Sequence, residues 1–275
     1  MMQIKQIPFA ALTGLVITTA FVLAALFAPW LAPHGLSEVV GDLWLPPSST
    51  HFMGTDNLGR DLWSRLLYGA RTTLLIASLA TALSFILGSV LGILAAVLGG
   101  WLDQLMSRLM DLVMSIPTLI FALVVLSVMP STVTLLVLVM GVLDSTRVFR
   151  LSRAVAVDVN VQDFVEAARL RGEGKVWIVF REILPNALSP LVAELGLRFI
   201  FAVLFLSSLS FLGLGVQPPE ADWGSMVREN RQGIIFGIPA ALIPAGAIAL
   251  LAISVNLVAD WVLRRTTDLK GGRSG

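Results

Sequence analysis

Residues 163–185 read DFVEAARLRGEGKVWIVFREILP, a polar island between long apolar runs. Asp163 and Glu166 stand at the spacing of a helix N-cap and its third residue, a capping-box pattern with Asp in place of Ser or Thr. Gly172 suits the left-handed residue just past a helix end. The spacing therefore predicts a helix of roughly two turns, bounded by turns and lying outside the bilayer between two spans. Ala167 and Ala168 would let another surface approach the backbone, and Glu166, Arg169 and Arg171 offer it ionic contacts.

Working outward from that island, the rest of the chain is too apolar for water. Hydrophobic residues make up 56% of the 275 positions and charged residues 13%, against about 25% charged in soluble domains. The net charge of +1 gives no sign of nucleic-acid binding. The absence of cysteine excludes disulfides, thiolate metal sites and a cysteine nucleophile, and His34 and His51 are too few for a histidine-based metal cluster. Near the N-terminus, Lys5 precedes an apolar run from Pro8 to Leu31 that is longer than a signal-peptide core. It reads as a retained span.

A bilayer-crossing helix needs about 20 apolar residues. Candidates fall at roughly 9–31, 73–98, 112–129, 132–149, 187–215 and 238–262, which makes six helices and an all-α membrane protein. Met129-Pro130-Ser131 leaves only a tight turn between the third and fourth. Small residues recur along the second span (Ala77, Ala80, Ser84, Gly88, Gly92, Ala95), a pattern that allows close helix packing in lipid. The segmentation is 1–72 for the first span with an outer segment, 73–262 for the transmembrane domain with the polar loop at 150–186, and 263–275 for a tail.

Basic residues orient the chain. With both termini in the cytosol, thirteen Lys and Arg fall inside, among them Lys5, Arg147, Arg169, Arg264 and Arg273, against five outside. The outer exception is the loop after the first span, where Arg60, Arg65 and Arg71 are accompanied by Asp56 and Asp61. Gly54-Thr55-Asp56 reads as a turn and Asp61 to Leu67 as a short amphipathic helix, with Asp61 and Arg65 four apart and able to pair. Two readings fit this segment: a periplasmic collar that positions a partner, or an interfacial anchor for the second span. Glu194 and Arg198 share a helix face inside the fifth span, where ionisable pairs face a bundle interior or a water-filled path.

Glu166-Ala167-Ala168, then Gly172, then Leu184-Pro185 resembles the EAA loop of bacterial ABC importer permeases, E-A-A, three residues, G, nine residues, I-x-L-P. Glu182 stands where that pattern has Ile, followed by Ile183, a variation familiar in the peptide-importer branch. The string HFMGTDNLGRDLWSRLLYGAR at 51–71 is similar to the signature of the second, C-type permease of dipeptide, oligopeptide and nickel importers. The resemblance covers nearly the whole chain and extends to LGLGVQPPEADWGSMVRENR at 212–231.

That resemblance implies a type I ABC importer transmembrane fold in the bacterial inner membrane, in contact with lipid. It implies half of a translocation pore completed by a related second permease, and two cytosolic ATPase subunits or domains docking on the EAA loop. A periplasmic or lipid-anchored binding protein would deliver substrate. Cargo is left open among peptides, nickel chelates, glutathione, opines and sugars.

The chain contains no G-x-x-x-x-G-K-[ST]; Gly172-Glu173-Gly174-Lys175 lacks the upstream Gly and the downstream hydroxyl residue. ATP and magnesium are therefore expected in the partner ATPase, with no cofactor bound by this chain. No nucleophile–base–orienter set is visible, so no catalytic residue is expected. Two other classes are compatible with the spans. An ion- or proton-coupled secondary carrier would need inverted repeats and broken helices around midplane charges. A non-transporting scaffold leaves the 163–185 pattern without a role.

Overall fold

Apolar segments without water to satisfy their backbone amides are stable only when those amides bond within the segment, which in this chain means helices. The computed structural model describes residues 8–130 and 132–271, so Lys5, Ser131 and Arg273 lie outside the described residues. Helices follow one another with short connections: α1 (Phe9–Leu26), α2 (Ala28–Leu31), α3 (Leu62–Leu98), α4 (Gly100–Ser115), α5 (Thr118–Val128) and α6 (Val133–Asn160). Next come α7 (Asp163–Leu170), α8 (Lys175–Ile178), a π-helical turn (Val179–Ile183) and α9 (Leu184–Phe211). Then follow α10 (Trp223–Asn230), two 3-10 turns (Arg231–Phe236 and Pro239–Ala241) and α11 (Leu242–Gly271).

Four of these stretches are long and apolar enough to cross a membrane: α1, α3, Pro190–Phe211 of α9 and Pro239–Arg264. α4 and α5 together make a fifth, bent by 80°. The bend falls at Ile116-Pro117, where proline pushes its predecessor into extended backbone. α6 has 28 residues, about 42 Å of helix, and carries Asp144, Arg147, Arg150, Arg153 and Asp158. Counted with the others, it makes the arrangement compatible with six crossings.

All six spans differ from the sequence expectation at their bounds: the first breaks at Phe27, the fourth runs on to Asn160, and the fifth runs from Leu184 to Phe211. The second does not begin at 73, because α3 starts at Leu62 and absorbs the short amphipathic helix into one rod of 37 residues. No break falls at residue 72. The third begins earlier and is broken in its middle, and α11 runs on to Gly271, past the expected end at 262.

Small residues set the closest contacts. A Cβ on Gly88 would lie 2.5 Å from Val148 Cβ and 2.6 Å from the Ser145 carbonyl, so α3 and α6 meet almost backbone to backbone. One turn on, a Cβ on Gly92 would lie 2.6 Å from the Phe149 carbonyl. The small residues of α3 are thus packing residues. α1 approaches α11 in the same way, with the Ser254 carbonyl 2.6 Å from where a Gly14 Cβ would be. One apolar core joins α3, α9, α10 and α11 around Trp223, and a second joins α3, α5, α6 and α9 around Leu136 and Leu206. A third, built from Ile93, Ala156, Val165, Ala168, Ile178 and Ile183, fastens the 163–185 loop to the ends of α3 and α6.

Candidate functional site

The loop is a short helix held by its ends. α7 begins at Asp163, with Gln162 as its N-cap and no side-chain cap bond, so the expected Asp163–Glu166 capping box does not form. The Gln162 carbonyl instead accepts from Val165 at 2.9 Å and Glu166 at 3.2 Å. Asp163 and Glu166 occupy the first turn and Arg169 the last, each favourable to the helix dipole. At the far end Gly172 takes φ +86°. Its amide reaches the Arg169 carbonyl at 2.9 Å and the Glu173 amide reaches the Ala168 carbonyl at 3.2 Å, the paired bonds of a Schellman stop. Nothing would touch a Cβ on Gly172, so backbone conformation and not space requires glycine there.

The two alanines divide. Ala168 is fully buried with Val165 against the chain's own core, whereas Ala167 and Glu166 face outward. Ala168 is therefore an internal packing residue and offers no surface to another subunit. Arg169 turns back to Asn160, Nη2 to Oδ1 2.5 Å, instead of reaching away from the chain. Leu170 is 83% exposed, and Val176 and Phe180 are also exposed. Leu184 and Pro185 open α9 directly from the π turn, and buried Ile183, not Glu182, supplies the apolar contact.

The segment between α2 and α3 forms a buried charge cluster. Asp56 is wholly buried; its carboxylate accepts from the amides of Leu58 (2.8 Å) and Arg60 (2.9 Å) and from Arg60 Nε (2.7 Å). Arg65 Nε lies 3.3 Å from the same carboxylate. Both guanidiniums then converge on Glu229 Oε2, Arg60 at 2.7 Å and Arg65 at 2.9 Å. The expected Asp61–Arg65 pair is absent: Asp61 caps α3 by accepting from the Ser64 amide at 2.8 Å and the Ser64 hydroxyl at 2.7 Å. Leu62 and Leu67 are buried in protein. Arg71 stands apart, exposed beside Glu220, Tyr68 and Leu36.

Glu229 was not singled out in the sequence, and neither were its neighbours on α10. Asn230 Oδ1 accepts from Trp44 Nε1 (3.2 Å) and from the Asn57 amide (3.0 Å), stitching α10 to the segment between α2 and α3. Asp222 caps α10 through the Gly224 and Ser225 amides, forming a capping box with Ser225. Burial pushes the Asp222 carboxyl above the usual carboxylate range, while the hydrogen bonds from Ser225 and Gly224 act in the opposite direction. Trp223 donates from Nε1 to the Leu66 carbonyl at 3.0 Å. The one sequence signal was the run Asp222-Trp223-Gly224-Ser225, an Asp three residues ahead of a hydroxyl.

Inside the bundle Arg198 donates from both Nε and Nη2 to Glu194 Oε1, the first bond measuring 2.8 Å. The pair extends across helices, because Arg198 Nη1 also reaches Asp144 Oδ1 of α6 at 3.4 Å. Asp144 is in turn 3.5 Å from Arg147. A second cross-helix fork, Arg153 to Asp103, ties α6 to α4, with Nη2 to Oδ2 at 2.6 Å.

No group of three or more His, Cys, Asp or Glu side chains among the described residues is arranged to hold a metal ion. The geometry is that of a helical membrane bundle with a pinned loop helix at one end and a buried ionic cluster in the segment between α2 and α3. Residues 88–268, more than half of the chain, match the family described as binding-protein-dependent transport system inner membrane component. Residues 10–47 match the N-terminal transmembrane domain of oligopeptide transport permease C. The dipeptide transport system permease protein DppC of Escherichia coli K12 is 39% identical over 268 residues, 94% of this chain and 89% of that one. The di/tripeptide transport system permease protein DppC of Pseudomonas aeruginosa is 37% identical over 267 residues, covering 94% and 88%. A putative peptide transport system permease protein of Brucella suis is 38% identical over 250 residues, covering 90% and 83%. The chain belongs to the binding-protein-dependent transport system inner membrane components, and is a C-type permease subunit of an ABC importer.

Proposed function

We propose that this permease carries short peptides inward as one half of a path completed by a related second permease. Two cytosolic ATPase subunits hold ATP and magnesium and dock on α7. A periplasmic or lipid-anchored binding protein delivers cargo at the outer mouth. The peptide reading rests on the cargo named for the relatives, each covered along most of its length. The orientation, both termini cytosolic, rests on the excess of Lys and Arg on the inner side.

The observation that carries the coupling role is the two-faced α7. Val165 and Ala168 are buried in the chain's own core, while Glu166, Ala167 and Leu170 point away from it. Leu170 is joined by exposed Val176 and Phe180 on the same loop outside the spans, a grouping of apolar side chains that suits contact with another protein. In the docked state Glu166 makes an ionic contact and Leu170 an apolar one. The test is copurification of the ATPase subunits with the permease from detergent. Glu166→Lys and Leu170→Asp should insert at normal levels and lose the ATPases. Full retention of the ATPases by the double variant would overturn the coupling role.

A further inference from the structure

We propose that the cavity between α3, α5, α6 and α9 receives the free carboxylate of the cargo during passage, with the Arg147 guanidinium as the receiving group. This rests on the peptide reading above. The cavity measures about 360 Å³, within the range of small-solute pockets. Phe201 and Phe205 give it an apolar wall, Thr81 and Ser208 line it with hydroxyls, and Asp144 and Arg147 stand together on α6.

Depth makes the charges informative. Asp144 lies eleven residues beyond the start of α6 at Val133, and Glu194 ten beyond the start of α9 at Leu184. At about 1.5 Å per residue Asp144 lies about 16 Å along α6, within a hydrocarbon core about 30 Å thick, and Glu194 lies about 6 Å beyond Pro190, where the apolar stretch of α9 begins. Charges at that depth face a bundle interior or water, not lipid.

Within the network Arg147 is the member with capacity to spare. Arg198 is committed to Glu194 and Asp144. Arg147 is 42% exposed and meets Asp144 only as an ion pair at 3.5 Å, with no hydrogen bond among the described residues. Asp144 keeps Arg198 when Arg147 turns away, so the guanidinium can swing to a ligand without stranding a buried acid. Its planar donors match a carboxylate in two parallel bonds. A main-chain terminus is common to all peptides, and a broad apolar wall tolerates varied side chains. The site thus recognises what such cargo shares.

The complete transporter, with second permease, ATPases and binding protein, is reconstituted in lipid vesicles. ATP-driven uptake of alanyl-phenylalanine and of its C-terminal amide is measured with the binding protein saturated by either. The binding protein is unchanged between variants, so its own preference cancels in the acid-to-amide ratio. Arg147→Gln should lower uptake of the free acid about tenfold, the loss of one charge-assisted pair, and leave the amide nearly unchanged. Arg147→Lys should recover part of the difference. Equal losses for acid and amide would mark Arg147 as structural and overturn the site.

If the wild type does not carry the amide, Arg147→Cys decides, since the chain has no other cysteine. A cationic thiol reagent should restore uptake of the acid and an anionic one of similar size should not; equal recovery overturns the site. Absence of ATP-driven uptake of any peptide by the wild type would sink the peptide reading and the site with it, an outcome distinct from a changed or unchanged ratio.

Discussion

Arg60 and Glu229 are 169 residues apart in the chain and 2.7 Å apart in the fold. Arg65, only 1% exposed, reaches the same carboxylate oxygen, so Glu229 and Asp56 together balance two arginines withdrawn from water. The segment between α2 and α3 is therefore fastened to α10 and is part of the folded body.

Glu229→Ala should destabilise the protein strongly, by about 3 to 5 kcal/mol, because removing one partner of a buried ionic cluster strands the others. Arg71→Ala, outside the cluster, should change stability by about 0.5 kcal/mol or less. Thermal unfolding in detergent compares the two directly; similar midpoints would show that the cluster carries no stability.

Gly88→Ala and Gly92→Ala should each cost about 1 to 3 kcal/mol, since each new methyl meets the backbone of α6, which cannot rotate aside. Gly246→Ala, where a Cβ would meet nothing within 4 Å, is the matched control. It should be neutral or slightly stabilising in the same unfolding measurement.

Gly172 separates conformation from space. Gly172→Asn should keep ATPase association, because Asn tolerates the left-handed region, whereas Gly172→Val should lose it while inserting normally. Equal behaviour of the two variants in copurification would mean that the Schellman stop does not matter to docking.

Orientation is open to cysteine labelling in intact cells, with no native cysteine to confuse it. A cysteine at Ser49 should react with an impermeant reagent added outside, and one at Gly174 should not. The reverse pattern would invert the topology.

The all-helical membrane class and the 163–185 element were legible because apolar run length and a glycine stop are local properties. Of the expected ion pairs, Glu194 and Arg198 do meet, while the one in the loop before α3 does not. The i,i+4 rule joined Asp61 to Arg65, but Asp61 turned out to be the N-cap of α3 and Arg65 found Glu229, 164 residues away. No local rule carries that contact. The α7 start slipped by one residue because the Gln162 carbonyl, invisible in a side-chain pattern, accepts the first helical bonds. Ala167 and Ala168 looked equivalent in the string, yet the spacing of Val165 and Ala168, three apart on one face, already marks which alanine is inward. The break in the third span was signalled by Pro117, but a run of apolar residues on both sides concealed the 80° turn.

The length of α3 has a mechanical consequence. From its Asp61 cap to Gly99 it is one rod of 37 residues, about 55 Å. Its inner half is seated on α6 at Gly88 and Gly92 with no soft side chains between. Only two residues separate the end of α6 at Asn160 from the start of α7 at Asp163. The buried ionic cluster and α7 are thus opposite ends of one stiff plank, and a load applied at Arg65 would reach Glu166 as tilt.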